Sequence, residues 1–473
     1  MSIVCTVQDV QSLEREWAKK HGDSTWGLMV EASKSFVARF QHQFTGKKVL
    51  VVAGNGNNGG DGYYIAKLLR DLNISVVVAA PLGLPPEHID AHRACQAYIA
   101  TGGPLSDRFE AIDADIVVDA LFGIGLNRPL TGKALVAVSQ INRSKLPVLA
   151  VDIPSGLDAQ TGRCLPTAVQ AVSTHTFIAF KPGQLTGAGP AVCGSLQLDS
   201  LSISSTSNWR YVDQFKACLP GRQGATHKAE HGDLHVVGGL KNMAGAAVIA
   251  ASSALNAGAG RVFLHSHESG NLAALMRSPE LMTRDVQLLL AEPPKGVYVI
   301  GPGMGRSPLA VQLWQTLIPM ASGVMDADAL RLLAANPVPV SGWVLTPHEG
   351  EAAALLGITS AEVKADRLAS AQALAARYQT VVVLKGAGTI VATTEDVRFC
   401  HAGSPAMSTP GMGDCLAGII GSLIAQGLLP EQAAVVGVNW HAFLGAKLAE
   451  TQRIVLASDI MAQLKQIPGS DAE

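Results

Sequence analysis

Charged residues, aromatic residues and paired cysteines are all scarce in this chain of 473 residues. Charged residues make up 16% and balance to a net charge of -2, so electrostatics gives no reason to expect nucleic acid or an anionic membrane as a partner. The seven cysteines are scattered, without a C-x-x-C pair or a His/Cys cluster spaced for metal ligation. This usage excludes a disulfide scaffold and is typical of a reducing, cytoplasmic compartment.

Long apolar runs and a secretory signal are also missing. The two longest uncharged stretches, 242–260 and 415–430, are interrupted by Gly, Ser, Asn or Gln. They therefore predict buried helices and no membrane span. The first twenty residues lack the basic start, apolar stretch and small-residue cleavage site of a secretory signal, so we expect no export.

Glycine, in contrast, is abundant. The chain contains 48 glycines, about one residue in ten, compared with an average of about 7%. Glycine at this level, without a fixed repeat period, predicts many sharp turns or close approaches of the backbone to a ligand.

The length of the chain and its 48% apolar content are sufficient for two hydrophobic cores.

Short runs rich in Val, Ile and Leu alternate with stretches at helical spacing in two separate blocks. The first block runs from KKVLVVAG to PVLAVDI, and the second runs from DLHVVGG to TVVVLKGAG. Buried strands with crossover helices predict a parallel sheet in an α/β layer fold. A polar, unpatterned segment at 201–232 separates the blocks. It indicates a boundary near residue 210, with domains at 1–210 and 211–473.

The hexapeptide GNGNNG after the first strand satisfies G-x-G-x-x-G, and we expect a helix from about Gly60. Alone, this pattern is a weak indication of dinucleotide binding. The next strand, VVVAAPLG, ends without the acidic residue that would bind a ribose hydroxyl, and the loop carries Asn57, Asn58 and Asp61 instead. An ordinary redox NAD site is therefore disfavoured.

Two further strands end in aspartate. DIVVDA carries Asp119 and runs into LFGIGLNRP, while PVLAVDI carries Asp152 and runs into PSGLD. Because the carboxyl ends of parallel strands lie at one edge of a sheet, these loops and 57–61 should form one pocket. Its amide, hydroxyl and carboxylate oxygens suit a weakly held hard cation, with another carboxylate left for proton transfer. Each aspartate could instead be a helix cap or turn residue.

GNGNNGGDG, DALFGIG and VDIPSGLD, with LMVEAS before them and FKPG after them, closely resemble the NAD(P)H-hydrate epimerase family over most of residues 1–205. The resemblance implies a Rossmann-like three-layer αβα domain, with Asp152 as acid/base. It implies K⁺ ligands at Asn58, Asp119 and Ser155. It also implies that the hydrated dinucleotide is bound by Asp152 and two loops: Asn57, Asn58, Gly59, Gly60, Asp61, Gly123, Ile124, Gly125, Leu126, Asn127, Arg128 and Pro129.

The second block ends in a long helix preceded by SPAMSTPGMGD, with Asp414 at its start. Backbone N–H groups at a helix N-terminus stabilise an anion, and a carboxylate there can take a proton from a hydroxyl. Other strands end in GPGMG, TPH and KGAGT, but no G-x-x-x-x-G-K-[ST] run is present, which disfavours a P-loop enzyme. Simpler alternatives are a helix cap at Asp414, a capping or core histidine at His348 and a surface charge at Lys385.

Together, GAA at 245–247, GPGMG, DADAL, TPHEGE, KGAGT and GMGD resemble the ADP-dependent NAD(P)H-hydrate dehydratase family over roughly residues 220–470. The resemblance implies a ribokinase-like αβα domain with Asp414 as base and ADP, together with Mg²⁺, as co-substrate. The implied substrate contacts are Ala246, Gly303, His348 and Asp414, and the implied nucleotide contacts are Lys385, Gly386, Ala387, Gly388, Thr389 and Gly413. Pro410 stands where the family usually has glycine. Because proline has no N–H and a fixed φ, it restricts how an anion can approach the N-terminus of the helix.

The two resemblances imply one enzyme that repairs hydrated NADH and NADPH. It would interconvert the R and S hydrates and dehydrate the S form at the expense of ADP, which gives AMP and phosphate. Two alternatives remain. One is a ribokinase-type small-molecule kinase with an appended ligand-binding domain, which would release a stable phosphorylated product. The other treats the first domain as a protein-interaction module. A homo-oligomer is also implied, with NADHX, NADPHX and ADP as small-molecule partners.

Overall fold

The computed structural model describes residues 2–107, 109, 113–221, 224, 227–240 and 242–466. The chain divides into two compact units, Ser2–Trp209 and the part from Arg210 onward. Each unit has its own sheet and its own helices.

Strands and helices alternate along most of the first unit. Its strands are β1 (Ser2–Ile3), β2 (Lys48–Ala53), β3 (Ser75–Ala79), β4 (Leu105–Ser106), β5 (Ile116–Ala120), β6 (Val148–Val151), β7 (Ser173–Phe177) and β8 (Ser195–Asp199). Its helices are α1 (Val7–Lys20), α2 (Trp26–Phe44), α3 (Asn57–Asp71), α4 (Asp90–Ala100), α5 (Gly132–Ser144), α6 (Pro182–Leu185) and α7 (Gly189–Val192). Strands β2 to β8 form a parallel sheet in the order β4-β3-β2-β5-β6-β7-β8.

Alternation of side chains along these strands creates two cores. In β2, Val49 and Val51 pack into a cluster with α2, α3 and α4, whereas Leu50 and Val52 pack into a second cluster with α5. Helices therefore cover both faces of the sheet, which is the three-layer αβα arrangement predicted for a buried parallel sheet.

The topological switch point of this sheet lies between β2 and β5. The chain leaves β2 to form β3 on one side, and β5 pairs with β2 on the other side. Ligand crevices in open α/β sheets form beyond the carboxyl ends of the strands at such a point. The loops after β2, β5 and β6 are therefore in the position from which a site is built.

Helix α3 begins at Asn57, so the predicted start at about Gly60 was wrong by most of a turn. The Gly60 N–H donates to the Gly56 carbonyl over 3.0 Å, which closes the first turn earlier. A Cβ on Gly59 would lie 2.0 Å from the Gly54 carbonyl oxygen, so this turn forms only because the residue has no side chain. Part of the glycine-rich loop is thus the helix N-terminus itself.

The second unit has a longer, mixed sheet. Its strands are β9 (Arg210–Val212), β10 (Asp233–Val237), β11 (Arg261–Ser266), β12 (Met282–Asp285), β13 (Val297–Ile300), β14 (Ser322–Met325), β15 (Trp343–Leu345), β16 (Val381–Leu384), β17 (Ile390–Ala392) and β18 (Val397–Cys400). Their order is β9-β18-β17-β16-β15-β14-β13-β10-β11-β12. The pairs β16/β17 and β17/β18 are antiparallel, and the others are parallel.

The helices of the second unit are α8 (Ala244–Asn256), α9 (Glu268–Arg277), α10 (Pro308–Leu317), α11 (Asp328–Ala335), α12 (Glu349–Leu356), α13 (Ser360–Ala365), α14 (Arg367–Tyr378), α15 (Met412–Ala425), α16 (Pro430–Ala449) and α17 (Ala457–Gln463). Val236, Val299 and Val324 from the sheet pack into one core with α8, α15 and α16. Strand β9 lies inside the segment that was unpatterned in sequence, and its three residues are too few to show a period.

Helices α8 and α15 occupy the two long uncharged stretches and pack against each other. Both are buried against the sheet of their unit. Across the described part of the chain, the search for a helix of sufficient length and hydropathy to span a bilayer found none.

The close approach of α8 and α15 depends on Gly418. A Cβ at this position would lie 2.1 Å from the Ala250 carbonyl oxygen. We expect Gly418→Ala to destabilise the second unit by about 1–3 kcal/mol, because the helices must separate. In the control Gly245→Ala, the new Cβ meets no atom within 4 Å. Urea unfolding of both variants tests this, and equal unfolding midpoints would contradict it.

Candidate active sites

Asp152, directly after β6, has an unusual backbone conformation, and only one of its two carboxylate oxygens accepts hydrogen bonds from the described residues. Its φ is 62°, a left-handed conformation that non-glycine residues rarely adopt and that often accompanies function. Its Oδ1 accepts hydrogen bonds from Lys181 Nζ at 2.5 Å, Thr176 Oγ1 at 2.9 Å and Phe177 N at 3.3 Å. Its Oδ2 has no hydrogen-bond partner among the described residues. One oxygen is fixed, and the other is free for a ligand.

A cavity of about 80 Å³ opens beside Asp152. The predicted residues Asn57 and Asp61 line it together with Asp152. Two further charged residues, Glu14 and Lys181, also line the cavity and were not singled out from the sequence. Lys181 lies within the FKPG motif and is 1% exposed. Glu14 lies on α1, where it resembles an ordinary helix charge.

Three carboxyl groups in this cavity share a single lysine. Burial and, to a smaller extent, the charge of Asp152 raise the pKa of Glu14 to about 7, against the opposing charge of Lys181. Burial, followed by the charges of Asp152 and Glu14, raises the pKa of Asp61 well above its usual value. The cavity therefore holds protons on carboxyl groups at neutral pH, which is the property that acid/base chemistry requires.

The predicted cation ligands Asn58, Asp119 and Ser155 converge beside the loop that follows β5. Ser155 donates to both Asp119 oxygens, from N at 2.8 Å and from Oγ at 2.7 Å. Phe122 N donates to Ser155 Oγ at 2.9 Å. A Cβ on Gly123 would lie 3.3 Å from Asn58 Cβ. The loop thus links all three residues.

This trio fits a hard monovalent cation. Asp119 is fully buried, and burial raises its pKa to about 6 although Ser155 and Leu121 donate hydrogen bonds to it. The Asn58 side-chain amide is buried without a partner for its nitrogen. Among the described residues, no group of three or more His, Cys, Asp or Glu side chains is arranged so that it could hold a metal ion. One carboxylate together with neutral oxygens is a donor set that suits a hard cation.

The remaining predicted contacts of the first site lie in the connection between β5 and α5: Gly123, Ile124, Gly125, Leu126, Asn127, Arg128 and Pro129. Asn127, Arg128 and Pro129 are exposed, and Ile124 packs partly into the core. None of these residues lines the cavity at Asp152. The structure therefore joins 57–61 with Asp152, and it links 123–129 to them through Asn58 and Ser155.

In the second unit, Lys385 follows β16 and points into the protein. Its Nζ lies 2.6 Å from Asp326 Oδ1 and 4.0 Å from Glu351 Oε2. A Cβ on Gly413 would lie 3.1 Å from the same Nζ. Burial alone would lower the pKa of Lys385, but Asp326 and Glu351 outweigh it and raise the pKa. The surface-charge alternative is therefore wrong.

Asp414 lies in the first turn of α15. The helix follows Gly411, and no side chain caps its first N–H groups, so Asp414 is not a conventional cap. Pro410 precedes this turn and does not interrupt it. Burial and, to a smaller extent, the charge of Asp326 raise the pKa of Asp414 to about 7, against the opposing charge of Lys385. A carboxyl group that titrates near neutral pH is suited to act as a base.

His348 caps α12, as one of the alternatives had it. Its Nδ1 accepts a hydrogen bond from Gly350 N at 2.9 Å, so the ring proton of neutral His348 is assigned to Nε2. That Nε2 lies 3.4 Å from Glu351 Oε1. The side chain is nevertheless 56% exposed, so capping leaves a face of the ring accessible to a ligand.

Gly303 lies in a loop that contacts the segment just before α8, the helix that carries Ala246. Gly303 has φ 60°, and a Cβ there would lie 2.3 Å from the carbonyl oxygen of Met243, which precedes α8 and the predicted contact Ala246. Asp328 Oδ2 accepts a hydrogen bond from Gly305 N at 2.8 Å. The GPGMG loop is thus connected both to the start of α8 and to the DADAL segment.

The KGAGT loop is supported by a buried arginine that the sequence did not reveal. Arg367 is 2% exposed, pairs with Glu349 and donates to the carbonyls of Leu384 and Lys385 at 3.2 Å. Thr389 Oγ1 donates to the Gly386 carbonyl at 3.2 Å, which closes the loop around Ala387 and Gly388. Asp326 and Glu351 belong to the sequence motifs DADAL and TPHEGE, but only the structure shows that both lie beside Lys385.

A cavity of about 1250 Å³ in the second unit lies apart from the Lys385 cluster. Residues of α8, α9, α16 and α17 contribute to its lining, among them Leu255, Arg277 and Trp440. None of the predicted site residues lines it. Size alone therefore does not identify the chemical site.

Comparisons with known proteins cover both units. A family model described as YjeF-related protein N-terminus matches residues 26–183, and one described as NAD(P)H-hydrate dehydratase matches residues 234–466. A solved ribokinase-like superfamily protein from Enterococcus faecalis V583 is 25% identical, with a TM-score of 0.51 over 55% of this chain and 96% of that one. This likeness supports a ribokinase-like fold.

Two relatives match almost the whole chain. The bifunctional NAD(P)H-hydrate repair enzyme Nnr of Escherichia coli (strain K12) is 38% identical over 97% of this chain and 92% of that protein. The enzyme of the same name from Vibrio cholerae serotype O1 is 37% identical over 98% of this chain and 97% of that protein. The chain therefore belongs to the family of bifunctional NAD(P)H-hydrate repair enzymes.

Proposed function

We propose that this protein restores hydrated NADH and NADPH, with the first unit interconverting the R and S hydrates and the second unit dehydrating the S form with ADP. The observation that carries the proposal is the pair of carboxyl clusters, one in each unit, that hold protons at neutral pH around a buried lysine. Both clusters lie at the carboxyl ends of strands, where α/β folds bind ligands.

In the first unit, Asp152 is the acid/base group. Lys181 and Thr176 fix its Oδ1, so its free Oδ2 faces a ligand in one orientation. Asn57 and Asp61 line the same cavity and would contact the hydrated ring. The backbone N–H groups at the start of α3 have no side-chain cap and would bind the dinucleotide phosphates.

Asn58, Asp119 and Ser155 would hold K⁺ beside this cavity. When bound, the ion supplies a positive charge that balances the buried Asp119 carboxylate. The three residues connect the helix start at 57–61 with the loop after β5. The ordered conformation of both segments would then depend on the bound ion.

In the second unit, Asp414 is the base that takes the proton of the ring hydroxyl. The hydroxyl oxygen attacks the terminal phosphorus of ADP and AMP leaves. Phosphate then leaves the ring carbon while the neighbouring carbon loses a proton, which restores the double bond. The uncapped N–H groups of α15 and the KGAGT loop would bind the nucleotide, and Lys385 faces Asp414 with a positive charge.

The residues around Asp414 do not form a cage for Mg²⁺. Lys385 already pairs with Asp326, and Asp328 accepts a hydrogen bond from Gly305. We therefore assign Mg²⁺ to the phosphates of the nucleotide, where this ion commonly binds, and no step to a protein-held metal.

A cytoplasmic location and a homo-oligomeric state are part of the proposal. All seven cysteines are free thiols, which suits a reducing compartment. Apolar side chains on α9, among them Leu272 and Met276, are exposed and available to a second copy.

The second unit is tested by Asp414→Asn. We expect kcat for recovery of the reduced-nicotinamide absorbance from S hydrate and ADP to fall about 10²-fold or more, because the base is lost. The exposed variant Glu395→Gln is the control. In the wild type, kcat/KM should decrease below about pH 7, because protonation removes the base. Full activity in Asp414→Asn would refute the role, and a stable phosphorylated product would indicate a kinase.

The first unit is tested by Asp152→Asn in a mixture of the two hydrates with ADP. The S form should disappear at the wild-type rate, because the second unit is unchanged and serves as the internal control. The R form should disappear only as fast as it epimerises without enzyme. Chromatography of both epimers over time measures this, and rapid loss of both would refute the assignment.

The cation site is tested through stability. In KCl, compared with choline chloride at equal ionic strength, the unfolding midpoint of the first unit should rise, because only the folded site binds K⁺. The gain would be about 2.7 kcal/mol at a concentration about 100 times the dissociation constant. Asp119→Asn should abolish the difference between the two salts. A difference that persists in this variant would show that K⁺ acts elsewhere.

A further inference from the structure

Glu14 has its carboxyl group in the wall of this cavity, and none of its contacts with the described residues explains its presence there as a stabilising interaction. It lies on α1 and lines the cavity with Asp61, Asp152 and Lys181. None of the described residues hydrogen-bonds or pairs with its side chain; its nearest charges are Asp152 and Lys181. Within the described part of the chain, only the charge of Lys181 offsets part of the cost of burying this carboxyl group, which lies among other carboxyl groups.

Other acidic residues of α1 have ordinary positions. Asp9 completes a capping box with Thr6 at the helix start. Glu16 is exposed to solvent. Glu14, in contrast, stands one turn after Val10 on the same helix face, and both side chains line the cavity. An apolar residue would satisfy packing on that face at a lower cost than an unpaired carboxyl group.

We propose that Glu14 is a second catalytic proton-transfer group of the first unit, acting together with Asp152. This inference rests on the proposed epimerase function. A single group can only give and take a proton at one position. Two groups on different elements can act at two positions, one giving a proton to the substrate and the other taking a proton from it. Glu14 on α1 and Asp152 after β6 provide that arrangement in one cavity.

The chemistry requires one acid and one base. The hydroxyl to be inverted is bound to a carbon next to the ring nitrogen. When it accepts a proton, the C–O bond breaks, water leaves and the nitrogen electron pair forms a C=N bond. Water then adds to the other face of that bond and gives up a proton, which restores the nitrogen electron pair. One water leaves and one returns, one proton is given and one is taken, and no oxidant is needed.

The electrostatics of the cavity supports this division. Burial, together with the charge of Asp152, raises the pKa of Glu14 to about 7, so this group carries a proton part of the time at neutral pH. Asp152 forms an ion pair with Lys181. Asp61 is the other carboxyl in the cavity, and burial raises its pKa well above the usual value. The groups that face Glu14 are therefore Asp152, Asp61 and Lys181.

The test follows conversion of one purified hydrate into the other by the full chain, without ADP, from pH 5.5 to 9 and after subtraction of the enzyme-free rate. In Glu14→Gln we expect kcat to fall about 10²-fold with KM changed less than about threefold, because a proton-transfer group is lost. The change of rate near pH 7 should also disappear. Glu14→Asp should restore part of kcat and the pH dependence. The exposed variant Glu16→Gln should match the wild type.

Other outcomes overturn the inference. A wild-type kcat and pH profile in Glu14→Gln would do so, as would a raised KM with unchanged kcat, which would indicate binding only. Loss of the pH dependence in Asp61→Asn but not in Glu14→Gln would assign the proton to Asp61. ADP-dependent dehydration and the unfolding midpoint of each variant show whether it has folded. If the wild type itself converts no hydrate above background, the proposed epimerase function fails as a whole.

Discussion

A buried lysine paired with an aspartate lies at the centre of each candidate site. Lys181 pairs with Asp152 in the first unit, and Lys385 pairs with Asp326 in the second unit. Removing such charges from water costs several kcal/mol per ion, and the cost is offset only by close geometry and further hydrogen bonds. Each lysine is surrounded by more carboxyl groups than it can neutralise. The additional groups, Glu14 and Asp414 among them, therefore keep protons near neutral pH.

The backbone has to allow these clusters to form. A Cβ on Gly413 would lie 3.1 Å from Lys385 Nζ, so the start of α15 could not approach the lysine as closely with a larger residue. In the first unit, the absence of a side chain at Gly59 lets α3 begin beside the strand edge. Part of the glycine excess therefore serves the close contact of backbone with charge, in addition to the turns that glycine usually forms.

The sequence predicted the αβα layers and the strands of the two apolar blocks, because these depend on local patterns. The catalytic roles of Asp152 and Asp414 stay predictions. Asp152, Asp414 and the 57–61 segment could be found from their positions after strands or at a helix start. The ion pairs could not be found in this way. Lys385 and Asp326 are 59 positions apart, and Glu14 resembles a surface charge until α1 is placed over the cavity. The start of α3 was misplaced because glycine runs usually indicate a turn, whereas here close packing turns them into a helix.

Both sites combine the same two physical features, which fits the proposal that they act on one nucleotide. Each contains a helix whose first N–H groups lack a side-chain cap, α3 in the first unit and α15 in the second. Each places protonated carboxyl groups near that terminus. A hydrated dinucleotide has an anionic pyrophosphate and a hydroxyl that must gain or lose a proton, so it needs both features. The second unit adds the KGAGT loop, which Arg367 supports. The proposed function accordingly assigns the phosphoryl donor to the second unit and reversible proton transfer to the first unit.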